Sequence, residues 1–104
     1  MTIRFYFQKI GKTDKEQLEN YFKDKKLARL TKLLQHGNLE LAKFVLNAKY
    51  HSRHNIFLVR LGLQVIDKDL EAEEVSRNLI EAFDLAFDNL IGQLRKLENI
   101  KHDK

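Results

Sequence analysis

Residues 79–97, LIEAFDLAFDNLIGQLRKL, set Leu79, Ile80, Phe83, Phe87, Leu90, Ile91, Leu94 and Leu97 three and four places apart, the spacing that lays an apolar stripe along one side of an α-helix. Such a stripe is stable only when another element covers it, and the rest of the chain supplies a sheet. IRFYFQ (3–8) alternates Ile3, Phe5 and Phe7 with Arg4, Tyr6 and Gln8, and NIFLVRLGLQVI (55–66) places Phe57, Val59, Leu61, Leu63 and Val65 at every second position. Both are the period-2 pattern of a strand with one buried face. LAKFVLNAKY (41–50) has the branched and aromatic content of a further strand. After a turn at DKD (67–69), Leu70 and Ala72 predict a short fourth strand whose acids discourage edge-to-edge pairing.

A first helix is predicted over GKTDKEQLENYFKDKKLARLTKLLQHGN (11–38). It opens with Thr13 and Glu16 at capping-box spacing and closes at Gly37 after His36. Its apolar positions slip by about one residue across KDKK (23–26), which predicts a bend or local bulge. The closing helix takes Ser76 or Asn78 as its cap, with Asn78 and Glu81 again at capping-box spacing. The order β-α-β-β-β-α predicts an α+β two-layer sandwich, a four-stranded mixed sheet with two helices on one face. A right-handed crossover through the first helix makes strands one and two parallel and the other pairs antiparallel. The closing helix, about 33 Å long against about 23 Å for a strand of seven residues, should overhang the sheet.

At 104 residues the chain is expected to be one domain, 1–104. The absence of cysteine excludes a disulfide scaffold, thiolate zinc sites and thiol nucleophiles. MTIRFYFQKIGK lacks the features of a signal peptide, and no apolar run approaches the roughly 20 residues of a membrane span, so a cytoplasmic protein with no membrane partner is expected. His51 and His54 flank Arg53, whose charge opposes a metal, and no third ligand is evident. Gly11, Gly37, Gly62 and Gly92 are scattered, not gathered in a phosphate-cradling loop. We therefore expect no enzyme, metal, cofactor or small-molecule substrate.

Charge is divided along the chain. Residues 67–88 carry Asp67, Asp69, Glu71, Glu73, Glu74, Glu81, Asp84 and Asp88 against Lys68 and Arg77, a net of −6 in a chain whose total is +4, so everything else sums to +10. Such a chain can present one basic and one acidic surface, which steers a polyanion into one orientation.

The run LEAEEVSRNLIEAFDLAFDNLIGQLRKL (70–97), with Leu70, Ala72, Ala82, Asp84, Asp88, Leu90, Gln93, Leu94, Arg95 and Lys96 in place, resembles the ribosome hibernation factors. The spacing of Ala82, Asp84, Asp88 and Leu90 joined to QLRK is its specific part. The first strand and first helix match in character, with about one extra residue near KDKK. The resemblance implies a domain that binds the small ribosomal subunit, through 16S rRNA and ribosomal proteins, in the channel used by messenger and transfer RNA. It implies a block of translation under stress or in stationary phase, and no catalysis. The RNA-binding surface it suggests joins Lys23, Lys25, Lys26, Arg29 and Lys32 of the first helix to Arg95, Lys96 and Lys101 of the closing helix. Lys49, His51 and Arg53, with His54, would add to it from the hairpin loop.

Tyr50, or Tyr6 on the outer sheet face, is available to stack on a base. The chain stops at KHDK without the linker and C-terminal dimerisation domain by which long family members pair ribosomes, so self-driven ribosome dimerisation is not expected; off the ribosome a monomer is expected. Two other readings stand beside this one. The acidic segment 67–88 and the apolar stripe, widened by Ile91 and Leu97, would suit a protein-interaction module, and a sheet with two helices on one face also suits a general binder of double-stranded RNA.

Overall fold

A computed structural model describes residues 1–34, 40–65 and 68–102, the last five as backbone alone. The elements are β1 (Thr2–Gln8), α1 (Lys12–Tyr21), a π-helical turn (Phe22–Lys26), α2 (Leu27–Leu33), β2 (Lys43–His51), β3 (Ile56–Val65), β4 (Lys68–Ser76) and α3 (Leu79–His102). The sheet order is β1-β2-β3-β4, with β1 and β2 parallel and the other pairs antiparallel. This is the expected two-layer sandwich, in which α1, the π turn and α2 form one continuous rod.

Alternation decides which side of each strand is buried. Phe44, Leu46 and Ala48 of β2, Val59, Leu61, Leu63 and Val65 of β3, and Ala72 of β4 turn inward. They meet Ala82, Phe83, Ala86, Phe87, Leu90, Ile91 and Leu94 of α3 and Leu18, Phe22, Leu30 and Leu34 of the rod. The π turn keeps those last four on one face. In an uninterrupted α-helix Leu18 and Leu34 would stand about 160° apart, and the extra residue taken up by the wide turn removes about 100° of that. The slip read from the sequence is thus a real change of helical pitch.

Because β1 and β2 are parallel, the rod between them runs opposite to both, and α3 runs opposite to β4. The two helices therefore run in the same direction with their C-termini at one end. Arg29 opposite Asp88 brings the end of α2 near residue 92, so α3 continues for about ten residues, roughly 15 Å, beyond it. The molecule measures 48 × 21 × 20 Å, as the expected overhang requires.

The sequence misplaced several details. Thr13 is not the cap: α1 begins at Lys12 behind an extended Gly11, with no side-chain cap, because burial of Ile10 fixes where the chain turns. The expected cap at Gly37 lies outside the described residues. β4 is nine residues long, not short, because it pairs with β3 from Val65↔Lys68 to Phe57↔Ser76, and Lys68 and Asp69 belong to it, not to a turn. At α3 the choice of cap resolves to Asn78, whose Oδ1 accepts from Glu81 N at 3.0 Å, while Ser76 Oγ accepts from Asn78 N at 3.2 Å. Ile91 does not widen an exposed stripe: it is 2% exposed and part of the core, with Leu97 packed against it.

Gly92 is exposed on α3, and a Cβ built there meets nothing within 4 Å. Gly92→Ala should stabilise the fold by about 1 kcal/mol, raising Tm by roughly 4–8 °C in a domain of this size, as measured by thermal unfolding.

Candidate nucleic-acid interface

The predicted basic residues do not form one surface. Lys23, Lys25, Lys26, Arg29 and Lys32 lie on the rod and Arg95 and Lys96 on α3, all in the helical layer. Lys49 and His51 belong to β2, out of phase with Phe44, Leu46 and Ala48, and so face the other side of the sheet. Alternation in the sequence already held that information. Arg53 and His54 sit in the tight connection after β2, at the end of the sheet where the helices begin and away from Arg95 and Lys96. The side chain of Lys101 lies outside the described residues. Tyr50 is not free to stack on a ligand, since it packs against Phe57 at 5.0 Å and donates to Asn55 Oδ1 at 2.7 Å.

The helical layer is itself polarised along its length. Residues 12–21 and 79–88 hold Lys12 and Lys15 against Asp14, Glu16, Glu19, Glu81, Asp84 and Asp88. Residues 22–34 and 89–97, at the shared C-terminal end, hold Lys23, Lys25, Lys26, Arg29, Lys32, Arg95 and Lys96 against Asp24 alone. Arg95 stands three turns beyond Asp84 on nearly the same side of α3, so it prolongs the cleft between the helices.

Two of these cations are committed within the protein, a pairing that sequence reasoning missed. Lys26 Nζ lies 3.5 Å from Asp84 Oδ1 and Arg29 Nη1 lies 3.9 Å from Asp88 Oδ1. The ammonium of Lys26 also sits 5.7 Å from the centroids of both Tyr21 and Phe87, and its side chain is only 18% exposed. It ties the helices together more than it meets solvent. Tyr21 donates its hydroxyl proton to the Asp84 carboxylate, 2.8 and 2.9 Å from the two oxygens. Burial, that hydrogen bond, and the charges of Asp84 and Asp88 hold the Tyr21 phenol above its usual value of 10.0. The remaining helical cations, Lys23, Lys25, Lys32, Arg95 and Lys96, have no acid within ion-pair distance among the described residues. What is left for a polyanion is therefore the C-terminal half of the layer, with a neutralised seam running into it.

The family model described as Sigma 54 modulation protein / S30EA ribosomal protein matches residues 6–101. The chain belongs to this family. The resemblance to the hibernation factors seen in residues 70–97 is borne out by that match. The fold is similar to the crystal structure of the Thermus thermophilus Protein Y N-terminal domain, at 18% sequence identity, with 93% of this chain and 99% of that chain covered and a TM-score of 0.71. It is also similar to a ribosomal subunit interface protein from Coxiella burnetii, at 16% identity, with 95% and 99% covered and a TM-score of 0.65. A search of curated proteins finds no match. Among the described residues of this S30EA family member, no helix is long and apolar enough to cross a membrane.

Tyr21→Phe removes a partly buried hydrogen bond to a carboxylate and should cost about 1 kcal/mol after discounting for solvent exposure. The raised phenol makes the sign of the pH effect definite: its contribution is complete below the unfolded tyrosine value near 10 and is lost as pH climbs through the higher folded value. Denaturant unfolding should show wild type and Tyr21→Phe converging in stability in that alkaline window, and the difference tyrosinate absorbance of the two proteins should titrate above pH 10.

Proposed function

We propose that this protein is a ribosome-associated translation inhibitor that docks the C-terminal half of its helical layer on 16S rRNA of the small subunit, in the channel used by messenger and transfer RNA. It acts in the cytoplasm, when growth slows, and without chemistry on a substrate. Membership of the S30EA family and the likeness to a ribosomal subunit interface protein support the partner. The observation that carries the choice of surface is the charge division of the helical layer, with cations far outnumbering acids at one end and acids outnumbering cations at the other.

Phosphates attract such a surface without reading sequence, and a folded RNA is recognised through its shape and backbone. The acids of the opposite half repel the same phosphates, so the layer can approach in one orientation only. Lys26 and Arg29 enter differently. Lys26, lodged between Tyr21 and Phe87 beside Asp84, holds the cleft in shape and Arg29 rests against Asp88, while Lys23, Lys25, Lys32, Arg95 and Lys96 meet the RNA. The protein-interaction reading is less well supported, because Ile91 and Leu97 are used by the protein's own core.

Sedimentation with purified small subunits at two ionic strengths tests this. With five phosphate contacts, log affinity should fall with log salt at a slope of about −3.5 to −4.5. Reversing charge at Lys23, Lys25, Lys32, Arg95 and Lys96 should abolish co-sedimentation and leave thermal unfolding within about 0.5 kcal/mol per site, since exposed charges contribute little to stability. Reversal at Lys12 and Lys15 should change neither. Unaltered pelleting of the five-site variant would mean another surface makes the contact, and equal affinity for any RNA duplex would make the protein a general duplex binder.

A further inference from the structure

Among the described residues no element covers the second face of the sheet, and its charge is as divided as that of the helices. On the β1–β2 half it presents Arg4, Tyr6, Lys43, Asn47, Lys49 and His51, and neither strand contains a carboxylate. On the β4 side Asp69, Glu71 and Glu73 are exposed, and Arg60 of β3 is drawn to Glu71 and Glu73 at 3.2 and 4.0 Å. Arg60 thereby closes the acidic half off from the basic one.

Tyr6 stands in the middle of the basic half. It is 48% exposed, and among the described residues it is the tyrosine whose hydroxyl makes no hydrogen bond, whereas Tyr21 and Tyr50 are both engaged. The register sets Asn47 directly across from it and places Arg4 two residues before it on the same face. Lys43 pairs across from Thr2 and Lys49 across from Gln8, so cations stand on either side of the ring along the strands, Lys43 and Lys49 about 20 Å apart. Tyr6, Asn47, Lys49, Leu58 and Arg60 line a depression on this face, with Glu73 at its β4 side beside Arg60.

We propose that the β1–β2 half of the open sheet face is a second RNA site, which takes a single strand by stacking a base on Tyr6 and seating the neighbouring phosphates on Arg4, Lys43 and Lys49. An exposed aromatic flanked by cations on a bare sheet is the arrangement on which unpaired bases stack, and it favours single strands because bases inside a duplex are already stacked. Asn47 offers a donor and an acceptor to the edge of that base. The acids of β4 repel phosphate, confining the strand to the opposite half and laying it along β1 and β2. The site stands apart from the helical surface, with the whole sheet between them.

Fluorescence anisotropy of a labelled 12-nucleotide oligouridylate with the full chain tests the proposal. Tyr6→Ala should weaken binding about tenfold, Tyr6→Phe should leave it unchanged because the ring remains, and Lys43→Glu with Lys49→Glu should weaken it at least as much as Tyr6→Ala. In a Lys25→Glu, Arg95→Glu, Lys96→Glu background, which removes the attraction of the helical surface for phosphate, Tyr6→Ala should weaken binding by the same factor. Thermal unfolding of each variant separates loss of binding from loss of fold. Undiminished binding by Tyr6→Ala, a Tyr6→Ala effect that disappears in the helical background, or no binding by wild type would overturn the site. So would a protein partner held through Tyr6 that the oligonucleotide fails to displace. Subunit co-sedimentation reads the helical surface, so either reading can fail alone.

Discussion

The structure depends on Phe22. Its ring stacks on Phe44 of β2 at 4.9 Å with planes 6° apart, and it meets the edges of Phe5 of β1 at 5.8 Å and Phe83 of α3 at 6.0 Å. One fully buried side chain thus joins the rod to two strands and to the other helix. Offset-stacked and edge-to-face pairs each add about 0.5–1.5 kcal/mol beyond the area they bury. Phe22 is also the first residue of the π turn, so the change of pitch begins where the rod is held most firmly. The residues that follow it, Lys23, Asp24 and Lys25, are exposed, and the irregular turn faces solvent on the side opposite its anchor.

Seen from that anchor, the charged residues fall into two groups with different work. Lys26 and Arg29 lie just beyond Phe22 and are turned to α3, where Asp84 and Asp88 meet them and Tyr21 completes the contact. Exposed ion pairs contribute little to stability, but a lysine lodged between two aromatic rings fixes how the helices sit side by side. The cations without such partners are the ones left to act outward. On the other layer Arg60 plays a similar part towards Glu71 and Glu73, and the open face of the sheet keeps its remaining cations on the side away from those acids.

Much of the fold was legible because it rests on local periodicity. Alternation through Phe57 to Val65 gave β3 with its buried face, the three-and-four spacing from Leu79 to Leu94 gave α3, and the broken phase at KDKK gave the π turn. Element ends were harder to read. β4 extends past its apolar residues because the hydrogen bonds of a neighbouring strand carry it on, and Thr13 lost the cap to a turn fixed by Ile10. For the site, the sequence supplied the charges but not their geometry. That Lys49 and His51 face away from the helices follows from their parity with Phe44 and Leu46, so it was available in the sequence. That Lys26 meets Asp84 across 58 positions was not, because only the packing of one helix against another brings them together.

The two helices share one direction, so both negative poles point to the end where Lys32, Arg95 and Lys96 are found, that of α3 lying about 15 Å beyond that of α2. Anions ordinarily settle at the opposite pole, where free amide groups await them. A polyanion seated here is held by side chains alone, against the field of the backbone. A hold of that kind is one that a modest rise in ionic strength loosens.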